Sequence, residues 1–200
     1  MKIIDCIQGS PEWLQARLGI PTASEFHKIL TPTGKLSEQS DAYMKTLLAE
    51  WLSGQPVDQY ENEWMKRGKE TEEEARKYYE FTKDVEVQQV GFITLDDGSA
   101  GCSPDFLVDK GAGEIKCPAA WTHVGYLLGD TVATKYWPQV QGQCWIAERD
   151  WVDWISYYPT ISPIIVRVQR DEEYIMKLAS AIMVFNERMA AKKVLLEKYR

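Results

Sequence analysis

Two hundred residues, 44% of them hydrophobic, are enough for one well-buried domain spanning 1–200 and too few for two full ones. No run of about 18 apolar residues occurs, and the N-terminus lacks a basic stretch followed by an apolar one, so neither a membrane span nor a signal peptide is expected. A net charge of −7 excludes tight non-specific binding to nucleic acid through uniform positive charge.

In chain order, Glu12 to Leu18 reads as a short helix with Trp13, Leu14, Ala16 and Leu18 as its apolar contacts. Thr22-x-x-Glu25 fits a capping box that opens a helix through Phe26, Ile29 and Leu30. A helix N-terminus beside Ser24 and Arg17 would also seat a phosphate. Thr31 to Ser40 is a polar loop. Ser40 or Asp41 then caps a helix to Ser53, with Tyr43, Met44, Leu47, Leu48, Trp51 and Leu52 on one stripe, and Gly54 and Pro56 end it.

A second long helix is predicted over Asn62 to Phe81, weakened at Gly68. Its acidic run, Glu70 and Glu72 to Glu74, is mostly a solvated face. Glu72 is the exception: Ala75, Arg76 and Tyr79 follow at i+3, i+4 and i+7, which puts it on the inward-leaning side. Val85 to Leu95 is strand-like and stops at Asp96-Asp97-Gly98.

Ser103 to Pro118 reads as a hairpin. Phe106-Leu107-Val108 and Glu114-Ile115-Lys116 are its strands, and Asp109 to Gly113 is the turn, with Gly111 and Gly113 free to take positive φ. The antiparallel return carries Glu114 and Lys116 back beside Asp105. Strand alternation puts those two on one face and Ile115 on the other. Two carboxylates with water can hold Mg²⁺, and a lysine beside it can orient or deprotonate a water. Taken alone, acid-x-Lys on a strand and an Asp near a glycine turn are ordinary sheet and turn chemistry.

Helices follow over Trp121 to Leu128 and from Pro138 to about Glu148. In the latter, Val140, Cys144 and Ala147 face the core, while Gln139 and Gln143 share a different face. Trp151 to Tyr158 and Ile164 to Gln169 form a strand pair, and Asp171 opens a long last helix. This succession predicts an α+β chain, a mixed central sheet flanked by helices, and not a doubly wound fold. Cys6, Cys102, Cys117 and Cys144 are scattered without a CxxC pair, as reduced, mostly buried thiols of a cytoplasmic protein. The same scatter excludes an iron–sulfur cluster, and two histidines exclude a His-rich zinc site.

Pro104-Asp105 with Glu114-x-Lys116 resembles the core of the PD-(D/E)xK nucleases, whose fold is restriction-endonuclease-like. Cys102-Ser103-Pro104-Asp105 followed by Glu114-Ile115-Lys116-Cys117-Pro118 is similar, more specifically, to the lambda-type (YqaJ-like) phage alkaline exonucleases. Further pieces resemble that family in order: Arg17-Leu18-Gly19-Ile20-x-Thr22-Ala23-Ser24-Glu25, Gly68-Lys69-x-x-Glu72-x-x-Ala75-Arg76, and Gln139-Val140-Gln141.

The resemblance implies a magnesium-dependent 5′→3′ double-strand DNA exonuclease with two metal ions, Mn²⁺ being an alternative. It would release 5′-mononucleotides and leave a 3′ single-stranded tail. Glu72, Asp105, Glu114 and the Ile115 carbonyl would ligate metal, Lys116 would orient the nucleophile, and Gln139 would lie near the scissile end. Arg17 and Ser24, with Ser103, would contact DNA at a 5′-phosphorylated end, and Met65 stands nearest to a strand-splitting wedge. A homotrimer and a single-strand annealing recombinase as partner are implied in the same way. The alternatives are a structure- or sequence-specific endonuclease of the same core, or a non-catalytic DNA-end-binding recombination module.

Overall fold

The computed structural model describes residues 1–57, 63–129 and 134–200, with side chains of 63–70 not included. Its helices are α1 (Pro11–Arg17), α2 (Ser40–Ser53), α3 (Glu63–Lys83), α4 (Ala120–Gly129), α5 (Trp137–Ile146) and α6 (Glu172–Leu196). Its strands are β1 (Lys2–Ile4), β2 (Phe92–Thr94), β3 (Gly101–Cys102), β4 (Phe106–Val108), β5 (Gly111–Lys116), β6 (Trp151–Tyr158) and β7 (Ile161–Gln169). The fold is α+β. A mixed sheet runs in the order β4-β5-β6-β7, and a smaller antiparallel sheet runs β1-β2-β3.

β4 and β5 form the predicted hairpin, with Phe106 opposite Gly113 and Val108 opposite Gly111. β5 then pairs parallel with β6 over its whole length, and β6 pairs antiparallel with β7. A parallel pair needs a long crossover, and α4 and α5 supply it. Strand alternation sorts the two faces. Ala112, Val152 and Trp154 join the large core with α2, α5 and α6. Ile115, Ile155, Phe106 and Val108 meet Ala75 and Tyr79 of α3 in a second core on the other face. No helix among the described residues is long and apolar enough to cross a membrane.

The turn is tighter than predicted. β5 begins at Gly111, and Asp109, at φ 46°, takes the left-handed position. Gly111 and Gly113 lie in the strand under aromatic rings: a Cβ at either would run into Trp151 or Phe106 respectively. Their missing side chains serve close packing, not the turn. The predicted strand over 85–95 is regular only at Phe92–Thr94, which belongs to the small sheet; upstream, Gln88 bridges Leu107.

The capping box at Thr22 does not form. Ala23–Lys28 is a six-residue 3₁₀ helix, the Thr22 side chain makes no cap, and Glu25 pairs with Lys28 at 2.5 Å. Nor do Ser40 and Asp41 cap α2: both already lie inside the helix, its N-cap is Gln39, and no side chain caps it. The other expected signals hold: Gly54 ends α2 in the left-handed conformation at φ 67°, and Asp171 accepts the Tyr174 N–H at 3.0 Å to start α6. Ser10 caps α1, a cap not predicted from the sequence.

Candidate active site

The site gathers where β4 gives out and β5 continues. The Asp105 N–H still donates to the Gly113 carbonyl at 3.0 Å, as the last rung of the hairpin. One step on, the Ile115 N–H donates to Asp105 Oδ2 at 2.5 Å, so a side chain replaces the missing rung. The N–H and C=O of one strand residue point the same way. The Ile115 carbonyl therefore faces this same edge, beyond the end of β4.

Glu114 and Lys116 project from β5 onto the α5 face, opposite to Ile115. Glu114 is 3% exposed, and both its oxygens are held. Lys116 Nζ lies 2.5 Å from Oε1, and Gln139 Nε2 donates to that oxygen at 2.7 Å. Gln143 Nε2 donates to Oε2. The Tyr136 ring flanks the ammonium, 5.1 Å from Nζ to the ring centre. Glu72 approaches from α3 on the other face of the sheet, with Ala75 and Tyr79 of the same helix buried as its spacing predicts.

Electrostatics tie these groups together. Burial raises the Asp105 carboxyl well above the ordinary carboxylate range, and Glu114 and then Glu72 raise it further. Burial pulls the Lys116 ammonium down, but Glu114 and Asp105 outweigh it, and the net shift is upward. Beside the two carboxylates Lys116 is thus held as a cation, suited to orienting a water. Among the described residues no three acidic side chains close into one shared coordination shell. The donors that fit a hard cation are Asp105, Glu114 and the Ile115 carbonyl. Mg²⁺ commonly uses only one or two carboxylates and keeps its waters, and the excess negative charge that pushes Asp105 up is what such a cation relieves. Glu72 adds to the field from the far side.

A second cluster begins two residues upstream of Asp105. Ser103 Oγ accepts Trp13 Nε1–H at 2.9 Å and an Arg17 Nη1–H at 3.4 Å. Arg17 Nη2 donates to Thr22 Oγ1 at 3.3 Å, and Thr22 Oγ1 lies 3.4 Å from Ser24 Oγ. The guanidinium stacks on Trp13, 4.1 Å from its ring centre. Burial lowers its pKa, and among the described residues no carboxylate pairs with it. The surface pairing with Glu12 or Glu25 that would make Arg17 ordinary is not made. The helix dipole expected beside it is reduced to a short 3₁₀ turn.

The structure therefore brings Asp105, Glu114, Lys116, Gln139 and the Ile115 backbone together, with Glu72 near, and sets Arg17, Ser103 and Ser24 alongside. The Met65 side chain lies outside the described residues. Sequence reasoning missed Gln143, Trp13 and Tyr136 as site neighbours. Gln143 carried a signal, its i, i+4 spacing from Gln139; the other two arrive through tertiary packing.

Residues 12–150 match the model of the YqaJ-like viral recombinase domain. The chain is similar to the crystal structure of the alkaline exonuclease LHK-Exo from Laribacter hongkongensis: 30% identity, TM-score 0.86, covering 95% of this chain and 97% of that one. The same exonuclease in complex with dAMP matches at 31% identity, TM-score 0.85, with 95% and 98% covered. A phage-related exonuclease from Haemophilus somnus 129PT shares the fold at 18% identity, TM-score 0.70, with 90% and 96% covered. No curated protein sequence is matched by the chain. A family model that spans most of the chain, site included, together with whole-length likeness to LHK-Exo, establishes that the chain belongs to the YqaJ-like viral recombinase family.

Proposed function

We propose that this protein is a magnesium-dependent 5′→3′ double-strand DNA exonuclease of the PD-(D/E)xK type, which releases 5′-mononucleotides and leaves a 3′ single-stranded tail for recombination by strand annealing. The observation that carries this reading is the meeting of Asp105, Glu114 and Lys116 at one strand end, beside the partly buried Arg17 guanidinium that donates to Ser103, two residues upstream of Asp105, and that no described carboxylate pairs. Side by side in this way, the two clusters would address neighbouring phosphates of one strand, which suits removal of one nucleotide at a time.

Asp105, Glu114 and the Ile115 carbonyl would hold Mg²⁺, or Mn²⁺ in its place, with Glu72 contributing to a second ion. Bound there, the metal supplies Lewis-acid stabilisation of the attacking and leaving oxygens. Lys116, kept charged by Glu114, orients the water that attacks the phosphodiester. Gln139 fixes the Glu114 oxygen that Lys116 also touches. Arg17, with Ser103 and Ser24, grips the terminal 5′ phosphate in a guanidinium fork.

The family likeness supports a homotrimeric ring and a single-strand annealing recombinase as partner. A ring also suits a chain of net charge −7, because enclosure maintains contact that uniform attraction would not. Digestion of linear and closed-circular duplex with and without Mg²⁺ tests the activity. Loss of the linear substrate alone, and only with metal, is expected. Cutting of the circle would make the protein an endonuclease, and no cutting of either would leave only DNA-end binding.

A further inference from the structure

α5 carries three glutamines at alternate positions, and their surroundings separate them. Gln141 is fully buried and uses both ends of its amide: Nε2 donates to the Gln169 carbonyl at 2.9 Å, and Oε1 accepts the Asp171 N–H at 2.8 Å. It ties the end of β7 to the start of α6, which is a structural task. Gln139 binds Glu114 Oε1 from a partly open position. Gln143 is 1% exposed, gives its Nε2 to Glu114 Oε2, and has no hydrogen-bond partner for Oε1 among the described residues.

That asymmetry is informative. A carboxylate only accepts, so the NH₂ end of Gln143 must face Glu114 and the carbonyl must turn away. A buried acceptor without a partner is destabilising. Methionine would fill similar volume without this penalty, but it would leave the buried Glu114 Oε2 without its donor. The amide is therefore there for the Glu114 carboxylate. That carboxylate is 3% exposed, and its two oxygens are held from one helix by amides four residues apart.

We infer that Gln143 is a positioning residue for Glu114: with Gln139 it forms a two-amide clamp, one amide to each oxygen, that fixes the plane of the carboxylate at the divalent-cation site. The inference rests on reading Glu114 as a metal ligand. Without the Gln143 end of the clamp, Oε2 is released, while Lys116 and Gln139 still hold Oε1, and the carboxylate can rotate about that side. Partners of metal ligands in this role typically matter by about 10–100-fold in metal affinity or activity.

Calorimetric titration of metal-free protein with Mn²⁺ tests this, using wild type, Gln143→Met, Glu114→Ala, the double variant, and Gln141→Met as a control. Gln143→Met should weaken Mn²⁺ binding roughly tenfold or more. In the Glu114→Ala background it should add nothing. Gln141→Met should lower the melting temperature and leave Mn²⁺ affinity unchanged. Gln143→Asn keeps the amide but withdraws it by one methylene, and should show the same loss as Gln143→Met, so the test survives misfolding of either. On linear duplex, kcat should fall while KM stays. Unchanged Mn²⁺ affinity in both Gln143 variants, or an equal loss with and without Glu114, overturns the inference. Wild type that binds Mn²⁺ through this clamp but digests no DNA overturns the proposed activity and leaves the clamp standing. Wild type that binds no divalent ion overturns both.

Discussion

The Asp105 carboxylate takes the hydrogen bond that the next residue of β4 would have taken, accepting the Ile115 N–H at 2.5 Å. One interaction thereby ends the hairpin and fixes a carboxylate against the backbone that carries Glu114 and Lys116. The site is built into the edge of the sheet and not on a loop above it, so its geometry is as rigid as the strand pairing.

Replacing Lys116 should separate chemistry from folding. Glu114 keeps its Gln139 and Gln143 donors when the ammonium goes, so Lys116→Ala should remain folded, with a lowered melting temperature for the buried carboxylates it leaves unbalanced. DNA cleavage should fall by roughly 100-fold or more, the scale of losing a group that stabilises the transition state. Melting curves and duplex digestion on the same preparation check this. Cleavage at the wild-type rate would remove lysine from the mechanism.

Asp105→Asn should abolish cleavage yet raise the stability of metal-free protein. Burial, Glu114 and Glu72 all disfavour the Asp105 anion, whereas the neutral amide oxygen can still accept the Ile115 N–H. The sign follows from linkage. A carboxyl raised in the folded state binds its proton more tightly there than in the unfolded chain, so the native protein loses stability as pH rises through that interval. The advantage of Asn is therefore greatest above the folded-state value and vanishes as pH falls into the ordinary carboxylate range. Each kcal/mol relieved should appear as about 2–4 °C in melting temperature for a chain of this size. Thermal scans at several pH values in chelator check both sign and window.

Much of this site is legible from the chain. Asp105, Glu114 and Lys116 fall together because strand alternation and a two-strand return suffice to place them, and Glu72 is marked by the Ala75 and Tyr79 that bury its helix. What fails does so for tertiary reasons. Gly111 and Gly113 look like turn residues, but they are small because Trp151 and Phe106 lie over them. Thr22-x-x-Glu25 has capping-box spacing, yet Thr22 turns to Arg17 and Glu25 to Lys28, both stronger charged partners. Gln143 shares a helix face with Gln139, but its tie to Glu114 depends on the packing of α5 over β5, which no local pattern reports.

Arg17 is the end sensor in this scheme. Arg17→Ala should slow digestion of 5′-phosphorylated duplex roughly tenfold or more, for a lost charge-assisted contact of about 1.5–3 kcal/mol. Digestion from a 5′-hydroxyl end should barely change. The wild-type preference for phosphorylated ends should therefore collapse in the variant, and rates for both proteins on both substrates complete the comparison. An undiminished preference would return Arg17 to a purely structural stack on Trp13.

Light scattering at working concentration should report a trimer. A monomer under those conditions would contradict the enclosing ring and would leave a chain of net charge −7 without a means of staying on its substrate.

The most direct measurement follows the order in which labels leave a linear duplex phosphorylated at both 5′ ends, with one strand labelled at its 5′ or its 3′ terminus. With Mg²⁺ present, the 5′ label should be released at once as a mononucleotide, and the 3′ label should stay in long single-stranded product. Prompt release of the 3′ label, or release of either label in chelator, would contradict a metal-dependent 5′→3′ exonuclease.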